Sequence, residues 1–267
     1  MPEGDTVFRT ADRLHRVLSG RVLTGTDFRV PQHATSDLSG EQVVETVARG
    51  KHLLTRFGNG LTLHTHLKME GSWRTYRAGE RWRRPAHQAR VVLTTEKDQA
   101  VGFSLGIVEL LPTTEEHTVV GHLGPDVLGP DWDADEALRR LAADPGRTIG
   151  AALLDQRNLA GLGTVYMSET LFLAGVCPLT PVGEVPDLRK VVRLGHRLLN
   201  FNAHRTGARV MVQVTTGDTR AGQEHYVFLR TGERCRRCGT PIETGLVGEP
   251  PKERRTYWCP HCQPAQR

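Results

Sequence analysis

The stretch CRRCGTPIETGLVGEPPKERRTYWCPHC, residues 235–262, decides how the C-terminal end of this chain must fold. It holds two Cys-x-x-Cys pairs, Cys235 with Cys238 and Cys259 with Cys262, separated by twenty residues. Each pair can form a knuckle that supplies two thiolates, and two knuckles complete a tetrahedral metal site with no open position. One structural zinc ion is therefore expected, tethering a β-hairpin too small to fold alone. His261, inside the second knuckle, is unnecessary as a ligand beside four cysteines. The fifth cysteine, Cys177, has no partner by spacing and reads as a small buried apolar residue. No run approaches the ~20 apolar residues of a membrane helix, and residues 1–30 lack the apolar centre of a signal peptide. A cytoplasmic location is expected, with no membrane partner; in a reducing compartment paired cysteines read as metal ligands before disulfides.

Working outward, the charge is concentrated in the same place. The chain of 267 residues has a formal net charge of +5. From Arg205 to the end it carries eleven Arg or Lys against six Asp or Glu, so residues 1–204 are balanced and the whole excess lies in the last 63. A local basic segment beside a metal ribbon points to a polyanion, most simply nucleic acid. Between the cysteine pairs, Lys252, Arg254 and Arg255 lie next to Tyr257 and Trp258. Cations suit phosphate contact while the rings pack on the knuckle.

The rest of the chain reads as an α+β protein. Val7, Ala11, Leu14 and Leu18 recur at helical spacing, with Asp5 or Thr6 as cap and Gly20 as stop. Seven β-branched-rich runs follow, beginning at residues 21, 43, 52, 61, 89, 100 and 107, and predict a β-sandwich or barrel packed with the first helix. The composition changes near residue 122, where HLGPDVLGPDWDADE reads as a linker ahead of a capped helix. Helical periods then cover Glu136–Ala143, Ile149–Leu154, Val165–Leu173 and Leu188–Asn202, before short strands return near Val227. The expected domains are 1–122 (helix and sandwich), 123–134 (linker), 135–226 (helical) and 227–267 (ribbon).

The opening Met1-Pro2-Glu3-Gly4 allows one specific chemistry. A small second residue permits removal of Met1, which exposes Pro2 as a secondary amine. An α-amino group titrates near ~7.7–8.0, so a useful fraction is neutral and nucleophilic at physiological pH. Attack on a sugar C1′ gives an iminium with an obligatory positive charge, an electron sink. Glu3 beside it can donate or relay a proton. An ordinary helix entry is the competing reading.

The combination of PEG (2–4), RGKHLL (49–54), HLKMEGSW (66–73), LLDQRNLAGLGTVYMSETL (153–171) and the four-cysteine ribbon, in that order, resembles the formamidopyrimidine-DNA glycosylase/endonuclease VIII family of base-excision repair enzymes. The resemblance spans nearly the whole chain. It implies an N-terminal helix plus β-sandwich, then a helical helix–two-turn–helix domain bearing a zinc-ribbon β-hairpin. It implies roles for individual residues: Pro2 as nucleophile, Glu3 as catalytic acid, and Lys51 as a lysine reaching the lesion's phosphate. Arg254, five residues before Cys259, matches the family's zinc-finger arginine, with Arg255 beside it. Met69 matches a wedge that fills the gap left by the extruded base, although its spacing is also compatible with core packing. Gly161, Gly163 and Thr164 match the turn whose backbone approaches a phosphate at a helix start.

The implied function is a bifunctional glycosylase and apurinic/apyrimidinic lyase acting on oxidised bases, pyrimidines by preference, in damaged double-stranded DNA. It would work through a Schiff base on Pro2 with β,δ-elimination. A bacterial, cytoplasmic, nucleoid-associated monomer with one zinc ion and no nucleotide cofactor is expected. Three departures bear on this. Thr164 stands where most relatives carry asparagine, Thr6 stands where glutamate is frequent, and Gly102–Gly106 replaces an Arg-Arg-Phe-Gly pattern, with Leu105 or a neighbour as the stand-in void filler. The short segment from Gly207 to Val227 and Pro-Glu-Gly lean toward the endonuclease VIII branch, whereas Met69 leans the other way. The alternatives are an 8-oxoguanine/formamidopyrimidine glycosylase and a DNA-binding protein with weakened catalysis.

Overall fold

The computed structural model describes residues 2–206 and 212–265. The chain divides into two compact units, Met1–His122 and Leu123–Arg267. The first opens on helix α1 (Gly4–Leu18), which buries Val7, Ala11, Leu14 and Leu18, the stripe that the sequence marks. The cap differs from expectation. Glu3, in extended conformation, takes the cap position, and Asp5 lies in the first turn, where a carboxylate complements the helix dipole. The helix starts two residues earlier than a cap at Asp5 would allow.

Eight strands follow: β1 (Leu23–Phe28), β2 (Val43–Arg49), β3 (His52–Phe57), β4 (Leu61–His66), β5 (Ser72–Arg77), β6 (Ala89–Thr95), β7 (Asp98–Phe103) and β8 (Ile107–Pro112). A short helix, α2 (His117–Val120), ends the unit. The strands form two antiparallel sheets in the orders β1-β6-β7-β5 and β2-β3-β4-β8. Inward residues of both sheets, among them Leu23, Leu53, Leu63, Trp73, Val91 and Leu93, join the apolar face of α1 in one core. Strand β5 is absent from the sequence expectation. Arg74 and Arg77 interrupt its apolar character, and only Trp73 and Tyr76 are buried. As an edge strand it pairs with β7 alone, and its two buried rings point to opposite faces, Trp73 into the sandwich core and Tyr76 into a small outer cluster with Phe103, so neither face shows an apolar run.

The register of α1 on β2 fixes which ends coincide. Gly20 N donates to Val43 O at 2.8 Å, and His15 Nδ1 accepts from Thr46 N at 3.4 Å. Moving back along α1 therefore means moving forward along β2. The start of α1 lies at the same end of the unit as the β2–β3 turn. That turn is a two-residue hairpin closed by the Arg49–His52 pair, and Gly50 supplies the positive φ of 58° it requires.

The second unit contains α3 (Ala134–Ala142), α4 (Ile149–Leu154), α5 (Thr164–Ala174) and α6 (Leu188–His204), then the hairpin β9 (Glu243–Val247) and β10 (Arg254–Trp258). Asp133 caps α3 by accepting from Asp135 N at 2.9 Å and Glu136 N at 3.0 Å. Residues 123–134 are not a solvated linker. Leu123–Val127 is buried and laced under the α4–α5 turn: Gly124 N donates to Gln156 O (2.8 Å), Ala160 N to Pro125 O (2.9 Å) and Val127 N to Ala160 O (3.1 Å). Its Gly-Pro breaks serve a strap rather than a tether.

Helix α5 is buried on every side from Thr164 to Phe172, as expected of the central helix of a bundle. Its one charge, Glu169, accepts from the backbone N–H groups of Tyr226, Val227 and Phe228, each at 2.8 Å, and from the Thr215 hydroxyl. Cys177 is buried, and desolvation pushes its thiol up, in keeping with an inert packing role. Among the described residues no helix is long and apolar enough to cross a membrane.

A Cβ on Gly124 would lie 2.6 Å from Arg157 O and 2.7 Å from the Asn158 carbonyl, both backbone. Gly124→Ala is therefore expected to destabilise the second unit by about 1–3 kcal/mol. Calorimetry of the full chain would register it as a lower melting temperature, by roughly 2–4 °C per kcal/mol.

Candidate functional site

At the leading end of the first unit, Pro2 is half-buried and Glu3 is fully buried immediately before α1. By the register above, the β2–β3 turn with half-buried Lys51 lies at the same end. So does the end of β4, because His66 pairs with His52 across the β3–β4 ladder. The following loop turns sharply: Gly71 N donates to Leu67 O at 2.9 Å, and Lys68 adopts a φ of +52°. This turn sets Met69 outward at 65% exposure, which excludes core packing for that side chain. Leu105 behaves in the opposite way. It is buried in the sandwich core, and a Cβ on Gly102 would lie 2.5 Å from its Cδ1. It is therefore not free to act as the stand-in void filler; the tight Ser104–Gly106 connection folds it inward.

The outer face of the β2-β3-β4-β8 sheet carries a titratable stripe that the sequence reading missed. His64 Nδ1 lies 2.8 Å from Glu109 Oε2, and His64 Nε2 lies 2.8 Å from His52 Nδ1. The His52 ring meets His66 edge-on at 4.8 Å and His122 at 6.3 Å. Burial first, then the neighbouring His66, pushes His52 down to about 3. Burial followed by Lys68 and Lys51 pushes His66 down to about 4. Farther along the face, Arg56 donates to Glu116 at 2.8 and 2.7 Å and pairs with Glu45, which holds the Glu116 carboxyl below its ordinary range. The available signal was alternation: His52, His64 and His66 fall on one strand face, and Glu109 is directly opposite His64.

In the second unit, the α4–α5 turn is held by Gln156, another residue the sequence reading passed over. Its Oε1 accepts from Gly161 N at 3.0 Å, and its Nε2 donates to Leu154 O and Leu162 O, each at 2.9 Å. Gly161 sits at a φ of +109°, and Gly163 is the extended cap of α5. Thr164 is the first residue of α5 and is buried. The turn brings these three residues together at a helix start, where the helix dipole favours an anion.

The four ribbon cysteines also converge. All four Sγ atoms lie within 4.8 Å of one another, and the closer pairs are 3.4 Å (Cys238–Cys259), 3.5 Å (Cys238–Cys262) and 3.9 Å (Cys235–Cys262). Sulfurs ~2.3 Å from a tetrahedral ion would be ~3.8 Å apart, so the cluster fits a metal ion. Knuckle N–H groups point at the sulfurs, Arg237 N to Cys235 Sγ at 3.4 Å and Cys262 N to Cys259 Sγ at 3.5 Å. The ribbon seats on α5 through Thr256, which donates to Met167 Sδ at 3.6 Å, and through Arg237, 4.4 Å over the Phe172 ring. Arg254 and Arg255 are both exposed on β10. Strand alternation puts Arg254 on the face of Thr256, toward α5, and Arg255 on the face of Tyr257. Cys259 packs by Phe172 while Thr256 meets Met167, so β10 and α5 run in the same sense. The Arg254 guanidinium donates to Glu253 O at 3.1 Å from the exposed end of the strand.

Two family models match the chain: the formamidopyrimidine-DNA glycosylase N-terminal domain over residues 1–104 and the formamidopyrimidine-DNA glycosylase H2TH domain over residues 123–194. A probable endonuclease 8 2 of Streptomyces coelicolor is 53% identical, over 100% of this chain and 96% of that protein. The chain belongs to the formamidopyrimidine-DNA glycosylase/endonuclease VIII family. A DNA-(apurinic or apyrimidinic site) lyase, Nei2, of Mycolicibacterium smegmatis is 48% identical over 99% of this chain and 100% of that protein. The Lactococcus lactis formamidopyrimidine-DNA glycosylase, solved with abasic-site DNA, superposes with a TM-score of 0.79 at 23% identity, covering 98% of this chain and 100% of that one. As a member of this family the chain is a DNA-repair enzyme of the glycosylase and lyase class, with curated relatives on the endonuclease VIII side.

The lowered histidines carry a stability consequence. Unfolded histidine binds a proton near ~6.5, whereas His52 does so only near about 3 and His66 near about 4. Between those values the unfolded state holds more protons, so stability rises with pH. The contribution is complete above ~6.5 and lost as pH falls toward the folded values. The wild-type melting temperature should drop on acidification from pH 7 to pH 5, and His52→Gln or His66→Gln should flatten that slope.

Proposed function

We propose that this protein excises oxidised bases, pyrimidines by preference, from double-stranded DNA and then cleaves the strand. The observation that carries the reading is the buried Glu3 carboxyl placed directly after Pro2, at the end of the unit that also presents Lys51. Once Met1 is removed, the Pro2 nitrogen attacks C1′ of the damaged nucleotide, which has left the stack because C1′ is shielded within a duplex. The C1′–base bond breaks, and the base departs with its electron pair and takes up the proton that the Pro2 nitrogen loses. Glu3 supplies a proton to the ring oxygen, the ring opens, and nitrogen and C1′ form an iminium. That cation acidifies the C2′ proton. Its removal expels the 3′ phosphate, and a second elimination releases the 5′ phosphate.

Lys51 neutralises a phosphate beside the lesion, and the exposed Met69 fills the vacated space in the stack. The start of α5 at Gly163 and Thr164, with Gly161 in the turn before it, lets the backbone approach a second phosphate that the helix dipole favours. Threonine in place of asparagine leaves a hydroxyl as the only side-chain donor there. Arg254 grips the backbone from the ribbon, with Arg255 as a lesser contact. Cys235, Cys238, Cys259 and Cys262 hold one zinc ion, which would fix the hairpin and take no part in the chemistry. The enzyme acts as a monomer in the cytoplasm on DNA.

Borohydride should trap a covalent complex of the full chain with abasic-site or thymine-glycol DNA, and intact mass should show Met1 absent. Retained Met1 with no trapped complex would defeat the mechanism. Pro2→Gly should keep partial trapping, whereas an N-terminal extension should abolish it. Glu3→Gln should slow base excision by about 10²- to 10⁴-fold. Lys51→Ala and Arg254→Ala should each lower the salt slope of DNA binding by about 1. A panel of single-lesion duplexes separates pyrimidine from 8-oxoguanine preference. Metal analysis should find one zinc per chain, and strong chelation should abolish DNA binding while leaving the first unit folded.

A further inference from the structure

The Glu109–His64–His52 chain plays no part in the mechanism above, yet it costs the sheet a buried histidine, 2% exposed, on a face where an apolar residue would serve packing better. Its hydrogen bonds have a fixed direction. A carboxylate only accepts, so His64 Nδ1 donates to Glu109. With both rings neutral, His64 Nε2 is then bare and accepts from His52 Nδ1–H. The far nitrogen of His52, Nε2, is left with a free lone pair. One terminus is therefore a bare nitrogen, on the ring next to Lys51 and against His66. The other is a carboxylate that is 49% exposed to water.

We propose that Glu109, His64 and His52 form a proton relay that serves the elimination step, connecting the Lys51 end of the sheet to solvent. The proposal rests on the lyase reading given above. In balanced form, loss of the C2′ proton expels the 3′ phosphate, and that proton reaches His52 Nε2, directly or through water. His52 Nδ1–H passes to His64 Nε2, His64 Nδ1–H passes to Glu109, and Glu109 releases the proton to water. The reverse sequence restores the starting tautomers before the next turnover and returns a proton to the site, replacing the one that Glu3 gave to the ring oxygen. No oxidant or cofactor is needed.

The surroundings suit transit rather than storage. His66, Lys68 and His122 face His52, and Lys51 and Lys68 face His66, so positive charge does not settle there. Burial and these neighbours hold His52 down to about 3. From the opposite side Glu116 faces His64, but Arg56 and Thr62 occupy its oxygens. Glu109 is thus the acceptor left for the chain.

Glu109→Gln keeps an acceptor of the same shape but cannot take up a proton. With abasic-site DNA, its borohydride trapping rate, DNA affinity and melting temperature should match wild type, while strand cleavage slows about ten-fold or more. The wild-type solvent deuterium isotope effect on cleavage should shrink in this variant. His52→Ala should show the same selective loss, and added imidazole should restore cleavage. Glu109→Gln and His52→Ala cleaving at the wild-type rate with an unchanged isotope effect would overturn the relay. So would parallel loss of trapping and cleavage without imidazole rescue, which marks a structural role. Wild type that neither traps nor cleaves would instead remove the lyase reading itself.

Discussion

A carboxylate with no access to water must find its hydrogen bonds inside the protein, and Glu169 of α5 finds them on three successive backbone N–H groups, Tyr226, Val227 and Phe228. This constraint organises the second unit. It ties the chain that enters the ribbon to the middle of the central helix. Phe172, Val227, Cys235 and Tyr257 then close a small core beneath the thiolates. The same helix begins at Thr164, on the glycine turn that Gln156 holds. One buried rod therefore fixes both the helix start suited to a phosphate and the strand that carries Arg254.

The first unit obeys a different constraint, the register of an amphipathic helix on a sheet. The bonds from Thr46 to His15 and from Gly20 to Val43 leave no choice about which ends meet. Pro2 and Glu3 must lie where the β2–β3 turn presents Lys51. The placing of Pro2 and Glu3 at the Lys51 end is thus set by packing farther along a helix that rises ~1.5 Å per residue. The histidine stripe on the outer sheet face follows from pairing rather than from local sequence. Its low proton affinity comes from burial and from cations crowded at one end.

Charge is uneven along the chain rather than between the two units, which carry +2 (residues 1–122) and +3 (residues 123–267). The basic excess falls in the segment that includes the ribbon, where surface cations gain from releasing counterions of a polyanion. The first unit is nearly balanced and instead invests its charges in internal pairs such as Arg56 with Glu45 and Glu116.

Local pattern determined a good deal. The period of Val7, Ala11, Leu14 and Leu18, the alternating strand runs and the two cysteine pairs each encode structure within a few residues, because the helix, the ladder and the metal site impose short repeats. Motif order then carried the family and its residues. What depends on partners distant in sequence was not legible. β5 hides because its two buried rings, Trp73 and Tyr76, fall on opposite faces and are separated by polar residues. The 123–134 strap reads as a linker because its bonds go to residues 156–160. Leu105 turns inward because Gly102 leaves it room. The linkage of His52, His64 and Glu109 was decided only when three strands came together, since direction and proximity across strands are properties of tertiary packing that a linear sequence does not carry.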